Sequence, residues 1–293
     1  MKHILLLLLA AIIWGFAFVA QKAGMEFIGP FAFNGIRFAL GAFSLLPLIL
    51  FQKQLFNRTN SNAPVSFTFK GGIVLGIVLF IAASLQQIGI VKSTAGNAGF
   101  ITSLYIIIVP FTGIFFKHKI SKEVWTGAIL AVIGLYLLTI SQQFKMAPGD
   151  GLVLLSAFFW AFHIILIGHY APKTNIILLS VIQFSVSALL NFVAAYLFET
   201  ISISMISGAL YPILYGGIMS IGVAYTLQVA GQRNIAPSKA SIILSLESVF
   251  AMLGGWLLLH ETLTPKKGMG AAIMLAGLIV SQLKLKIFKQ KSS

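Results

Sequence analysis

The chain has 293 residues, of which 58% are hydrophobic and only 9% are charged. In a soluble domain roughly a quarter of the residues are charged. A chain this apolar would aggregate in water and is predicted to fold in lipid. Its net charge of +14 does not indicate nucleic-acid binding, because the Lys and Arg residues are spread over short loops. The absence of cysteine excludes a disulfide, a thiol nucleophile and a cysteine metal site.

Ten apolar segments follow one another along the chain, each near the roughly 20 residues that a helix needs to cross the hydrocarbon core. Helices are predicted because a lipid-exposed strand would leave backbone groups unpaired. The longest polar break, residues 52–69, is interpreted as the loop between the second and third helices. The predicted helices cover residues 4–24, 31–51, 70–91, 95–116, 122–140, 150–169, 175–198, 208–231, 237–259 and 265–284.

The first helix resembles a secretory signal peptide, because Lys2 precedes an apolar run. Trp14 in this helix, however, matches Trp160 in an internal repeat of the sequence. Removal of the first helix would leave one copy of the repeat with four helices. We therefore expect the first helix to be retained.

The sequence contains the same unit twice. Residues 86–113 match residues 228–255 at a constant offset of 142, and the earlier parts of the two units match at an offset of 146. Each unit spans about five helices, and an odd number places the second copy in the opposite orientation, as in many secondary transporters. The predicted fold is therefore an all-α integral membrane protein with ten transmembrane helices in two inverted five-helix repeats. The predicted parts are residues 1–140 for the first repeat, 141–149 for a linker loop, 150–284 for the second repeat and 285–293 for a basic cytoplasmic tail.

The distribution of basic residues predicts the orientation of the chain. If the N-terminus is cytoplasmic, the inside loops hold fourteen Lys and Arg residues and the outside loops hold five. Cytoplasmic loops carry the excess of Lys and Arg, so both termini are predicted to be cytoplasmic.

Polar residues in the middle of helices are the candidates for function, because they are costly in the membrane and usually face a cavity or a partner. Arg37 and Glu247 are the two charged residues of this kind, and the repeat places Gln183 and Tyr105 at the equivalent positions. Equivalent positions face each other across a two-fold axis, which predicts a central binding cavity. The candidate substrate-binding residues are Trp14, Arg37, Gln86, Tyr105, Trp160, Gln183, Gln228 and Glu247.

Each candidate also has a purely structural interpretation. Arg37 and Glu247 could form an ion pair without a ligand, and Trp14 and Trp160 could pack the helices rather than stack on a substrate. Gln86 and Gln228 could be interhelical hydrogen-bonding residues. For His163, packing is the favoured interpretation. The carboxylates near segment ends are expected to be solvated, and these are Glu26, Glu123, Asp150, Glu199 and Glu261.

Enzymatic chemistry is poorly supported by the sequence. Only six carboxylates exist, and none of them forms a pair suited to general acid–base catalysis. The five histidines are scattered without the spacing of a metal site, and no phosphate-binding loop for ATP is present. Neither a metal nor another cofactor is predicted.

Three stretches resemble EamA-type members of the drug/metabolite transporter superfamily. They are residues 10–22 (AAIIWGFAFVAQK), 36–38 (IRF) and 246–251 (LESVFA), although Ser248 stands where the family signature has proline. The resemblance implies an exporter in the bacterial inner membrane, acting on amino acids, their metabolites or drug-like molecules. Its partners would be a small-molecule substrate and the lipid bilayer, with proton coupling and oligomeric state left open. The alternatives are a non-transporting membrane assembly subunit and, with less support, a lipid-modifying membrane enzyme.

Overall fold

The structure is a computed structural model that describes residues 2–55, 64–93, 95–115, 120–139, 147–259 and 263–282. Within these ranges the chain forms helices and no strands. The predicted tail lies outside the described residues, as do Glu261 and most of the predicted linker loop.

The first half of the described chain contains six α-helices. They are α1 (Lys2–Gly24), α2 (Pro30–Leu55), α3 (Val65–Val91), α4 (Ala95–Ser103), α5 (Tyr105–Phe115) and α6 (Lys122–Thr139).

The second half begins with a long helix and a short 3-10 turn, and it includes a π-helical segment. Its elements are α7 (Asp150–Tyr170), the 3-10 turn (Ala171–Lys173), α8 (Ile176–Phe198), α9 (Ile203–Gly208), α10 (Leu210–Leu214), the π-helix (Tyr215–Tyr225), α11 (Thr226–Gln232), α12 (Pro237–Leu244), α13 (Glu247–Leu259) and α14 (Pro265–Gln282).

Eight helical segments in the described residues are long and apolar enough to cross a membrane. The predicted fifth and tenth helices correspond to α6 and α14, which have 18 residues each and pack against one another. Membrane crossing by these two helices stays a prediction. The second and third predicted helices are longer than expected, since α2 continues to Leu55 and α3 begins at Val65.

The fourth and ninth predicted helices each form one apolar span, Asn97–Ile114 and Pro237–Leu258, but the structure shows a break near the middle of each. The fourth breaks at Leu104 between α4 and α5, and the ninth breaks between Leu244 and Glu247, the end of α12 and the start of α13. At both breaks the backbone makes a hydrogen bond to the third residue back, as in a 3-10 turn. The Leu104 N–H donates to the Ile101 carbonyl at 3.2 Å, and the Leu246 N–H donates to the Ile243 carbonyl at 3.3 Å. Leu104 and Leu246 are equivalent in the repeat. Both halves therefore start a new helix at the same position.

Glycines allow α6 and α14 to approach each other closely. A Cβ atom at Gly134 would lie 2.5 Å from the carbonyl oxygen of Gly270, and one at Gly127 would lie 2.6 Å from that of Gly277. Only glycine leaves room for such backbone contact. The contacts are crosswise, since the first glycine of one helix meets the second glycine of the other. Crosswise contact is what a two-fold relation between the two helices produces.

Two acidic residues at segment ends, which were expected to be solvated, bond to other parts of the protein, although only Asp150 is buried. Asp150 at the start of α7 is fully buried and accepts a hydrogen bond from the Ser93 hydroxyl. Glu199 accepts two hydrogen bonds of 2.8 Å, from the backbone N–H groups of Phe31 and Ala32 at the start of α2. The first N–H groups of a helix have no partner within the helix and carry a partial positive charge, so they attract carboxylates.

Candidate functional site

A cavity lies where α1, α2, α3, α7, the π-helix with α11, and both interrupted helices meet. Its walls include seven of the eight residues predicted to bind substrate. The lining residues are Trp14, Phe18, Arg37, Gln86, Thr102, Tyr105, Trp160, Ile164, Tyr225, Gln228, Leu244 and Glu247.

Ten of these twelve residues form five pairs at equivalent positions of the repeat. Three pairs belong to the predicted set, namely Trp14 with Trp160, Gln86 with Gln228, and Tyr105 with Glu247. The other two pairs were not predicted from the sequence. They are Phe18 with Ile164 and Thr102 with Leu244. The cavity thus contains matching positions from both halves, with different side chains at most of them.

The repeat itself carried a signal for the two missed pairs. Phe18 and Ile164 lie one helical turn beyond Trp14 and Trp160, so they share the same helix face. Thr102 and Leu244 each lie three residues before a predicted site residue. Applying the helical period to the equivalent pairs would have found both.

Tyr105 and Glu247 make a direct contact between the two halves. The Tyr105 hydroxyl donates a hydrogen bond of 2.9 Å to Glu247 Oε1. Each is the first residue of a helix, α5 and α13, and each is almost completely buried. Interrupted helices that meet at a cavity are typical of transporter binding sites.

Arg37 lines the cavity without an acidic partner among the described residues. Its Nε donates a hydrogen bond of 2.9 Å to Asn34 Oδ1, and its guanidinium carbon lies 5.4 Å and 5.3 Å from the ring centroids of Phe33 and Phe38. No ion pair joins Arg37 to Glu247 in the described chain. The cavity therefore contains one basic side chain and one carboxyl group that are not paired with each other.

Three aromatic rings form one wall of the cavity. Tyr225 lies 4.6 Å from Trp14 in an edge-to-face arrangement and 6.1 Å from Trp160 in a stacked arrangement, measured between ring centroids. The Trp14 indole N–H donates to the carbonyl of Ser220 at 3.2 Å, whereas the buried Trp160 indole N–H has no partner among the described residues. The wall can pack against an apolar group and donate one hydrogen bond. Tyr225 was missed because its equivalent position holds Ala83.

The two glutamines differ in their partners. Gln86 donates a hydrogen bond of 2.8 Å to Thr102, which joins α3 to α4. Gln228 donates to Gln232 on the same helix at 3.0 Å, and its own side-chain oxygen is buried without a partner in the part of the chain that the structure describes. An unpaired buried acceptor is costly unless water or a ligand donates to it.

Gln183 is not part of the cavity lining. It is fully buried and bonds to His163 Nε2 at 3.0 Å. The His163 ring contacts Trp160 and Tyr225, with centroids 6.0 Å and 5.9 Å away, and both of these residues face the cavity. Gln183 thus lies behind His163, in a position where substrate contact would require rearrangement.

Comparisons with known proteins agree with this architecture. A family profile described as "EamA-like transporter family" matches residues 1–140 and again 147–282. A protein of Archaeoglobus fulgidus named "Uncharacterized transporter" is 32% identical over 280 residues, covering 95% of this chain and 85% of that protein. A Salmonella typhimurium protein named "Probable amino-acid metabolite efflux pump" is 25% identical over 297 residues, covering 94% of this chain and 93% of that protein. A solved crystal structure with 16% sequence identity has a TM-score of 0.77 and covers 96% of both chains, which supports the fold alone.

Proposed function

The chain belongs to the EamA-like transporter family, and on this basis we propose that it exports small amphipathic metabolites such as amino acids, their derivatives or drug-like compounds. The family assignment makes it a multi-pass membrane transporter rather than an enzyme. Export is supported by the relative that is named an efflux pump. The relatives also favour the bacterial inner membrane as its location.

The observation that carries the proposal is that a basic and an acidic side chain line one cavity together with aromatic rings, without pairing with each other. Arg37 offers N–H donors suited to a carboxylate, and Glu247 can accept an amine or a proton. Trp14, Trp160 and Tyr225 offer ring faces to an apolar or cationic group. A molecule with a carboxylate, an amine and an apolar side chain would engage all three features.

Alternating access is supported by the two-fold relations between the halves. Equivalent residues meet at the Tyr105–Glu247 hydrogen bond, and equivalent glycines meet crosswise between α6 and α14. We propose that the two halves form an inverted repeat and rock against each other around the central cavity. In that movement the cavity opens to one side of the membrane at a time.

The orientation proposed here follows the basic residues, with both termini in the cytoplasm. Single cysteines test it directly, because the chain contains none. A cysteine introduced at Asn60 should resist an impermeant thiol reagent in intact cells, and one at Pro148 should react. The reverse labelling pattern would overturn the orientation.

Transport itself is tested by efflux from liposomes. The purified chain is reconstituted in vesicles loaded with a mixture of amino acids, their amides, their N-acetyl derivatives and aromatic carboxylates. We expect time-dependent loss of at least one carboxylate-bearing compound. Loaded vesicles without protein, and loaded vesicles that contain the Arg37→Ala variant, should retain it. Retention of every compound, together with absence of exchange, would favour the non-transporting assembly subunit.

A further inference from the structure

The guanidinium of Arg37 is held along one edge by an uncharged side chain. Asn34 accepts the Arg37 Nε hydrogen bond at 2.9 Å and donates its own hydrogen bond of 3.1 Å to the carbonyl of Ala83. Asn34 has no exposed surface. Because both ends of the Asn34 amide are engaged, the residue ties α2 to α3 and fixes the direction of the arginine.

The rest of the Arg37 environment is neutral. A Cβ atom at Gly216 would lie 3.4 Å from Arg37 Cδ, so the π-helix packs against the arginine stem. The Phe33 and Phe38 rings lie beside the guanidinium, and Glu247 bonds to Tyr105 instead. Within the described chain, the two Nη groups of Arg37 have no hydrogen-bond partner. A nearly buried cation without a counter-charge is unfavourable, so an anion from outside the protein would be strongly preferred.

We propose that Asn34 is a positioning residue that orients Arg37 while leaving its charge uncompensated, so that the Nη groups bind a carboxylate of the substrate. An aspartate at this position would orient the arginine equally well but would neutralise it and compete with the ligand. The neutral amide supplies orientation alone. The inference specifies how the proposed transport site selects carboxylates, and it can be measured by binding without any flux.

A purely structural role for Asn34 is the competing explanation, and the chain offers a matched control. Asn191 is also a fully buried asparagine that joins a helix to α3, since it accepts a hydrogen bond of 3.1 Å from Ser84, the residue after Ala83. Asn191 makes no hydrogen bond to Arg37. Equivalent substitutions at the two asparagines therefore separate loss of helix contacts from loss of arginine positioning.

The experiment uses the purified full chain and phenylglyoxal, which reacts with accessible guanidinium groups. Modification of Arg37 is measured by mass spectrometry of the digested protein. Sodium benzoate is the carboxylate probe, and benzamide is its uncharged counterpart of similar shape. In the protein without substitutions we expect benzoate to protect Arg37 from phenylglyoxal and benzamide to leave it reactive.

The variants give the decisive results. Asn34→Asp should abolish protection by benzoate, because the introduced carboxylate occupies the guanidinium. Asn34→Ala should raise the benzoate concentration for half-protection by about tenfold, the size expected for one hydrogen bond to a charged group. Asn191→Asp and Asn191→Ala should show the same benzoate protection as the protein without substitutions. If Asn34→Asp prevents folding, Asn34→Ala with Asn191→Ala still provides the comparison.

Three results would overturn the inference. Undiminished benzoate protection in Asn34→Asp would show that the arginine charge is not kept free by Asn34. Equal weakening in Asn191→Ala and Asn34→Ala would show that both asparagines act through helix packing. Failure of benzoate to protect Arg37 in the protein without substitutions would reject carboxylate binding at Arg37. The efflux assay on the same preparation judges transport separately.

Discussion

Arg37 and Gln183 occupy equivalent positions in the two halves, but their surroundings differ. Arg37 lines the cavity without an acidic partner in the described chain, and its neighbour Asn34 donates a hydrogen bond to the backbone carbonyl of the small residue Ala83. Gln183 is covered by His163, which contacts Tyr225 at the position equivalent to Ala83. A bulky ring in one half and a methyl group in the other thus accompany a packing position and a cavity-lining position, respectively. The duplicated backbone allows both uses.

The largest expected effect comes from removing the charge at Arg37. Arg37→Gln places the residue of the second half in the first half, and we expect carboxylate efflux from liposomes to fall by about a hundredfold or more. Since no ion pair joins Arg37 to Glu247 in the described chain, the double variant Arg37→Ala/Glu247→Ala should not recover activity. Recovery in the double variant would restore the interpretation of a structural ion pair. As a control, each variant must be inserted in the membrane and must elute as a folded protein in size-exclusion chromatography.

Glu247 is the acidic residue of the cavity lining, and Tyr105 occupies the equivalent position in the first half as a neutral residue. Glu247→Gln keeps the shape and the Tyr105 contact but removes the charge and the exchangeable proton. If the carboxylate carries the coupling proton, this variant should lose gradient-driven accumulation while downhill exchange continues. The measurement compares the two modes in the same vesicles. Full accumulation by Glu247→Gln would exclude the proton-carrying role.

The converse exchange, Gln183→Arg, tests whether the covered position tolerates a charge. The guanidinium would lie behind His163 without an acidic partner, so we expect a loss of about 3 kcal/mol in the free energy of unfolding. Thermal unfolding in detergent, with Gln183→Met as a neutral control, measures the effect. Stability equal to that of the control would mean that the position can open to the cavity.

A smaller effect is expected at the contact between the halves. Tyr105→Phe removes one hydrogen bond to Glu247 and keeps the ring, so transport should weaken by about tenfold. The Tyr215→Phe variant is a suitable control, because Tyr215 bonds to a backbone carbonyl of α1 and is not a lining residue of the cavity. An effect at Tyr215 as large as that at Tyr105 would indicate general loss of helix packing.

Sequence reasoning was most successful where the repeat could be applied. The equivalence of Tyr105 and Glu247 predicted that they face each other, and the structure places them in hydrogen-bond contact. Composition and hydropathy alone predicted an all-helical membrane fold, and the family match is consistent with it. These features depend on period, length and duplication, which are properties of the linear sequence.

The remaining features depend on tertiary contacts that no local pattern encodes. The burial of Gln183 follows from His163 and Tyr225, which are distant in sequence and come together only in the fold. The breaks at Leu104 and Leu246 occur in apolar runs that contain no glycine or proline at the break itself. Asp150 was expected to be solvated because it lies at a segment end, and its hydrogen-bond partner Ser93 belongs to a distant part of the sequence.

The most direct test of the central cavity uses single cysteines at lining positions that make no hydrogen bond to the proposed substrate. Ile164→Cys and Leu244→Cys line the cavity, whereas Ile167→Cys and Ile243→Cys are matched buried positions nearby that are not lining residues. With a small polar thiol reagent, we predict labelling at the two lining positions and protection there by a compound that the liposome assay identifies as transported. The two control positions should stay unlabelled. Equal labelling at all four positions, or labelling that no transported compound reduces, would contradict the assignment of this cavity as the substrate site.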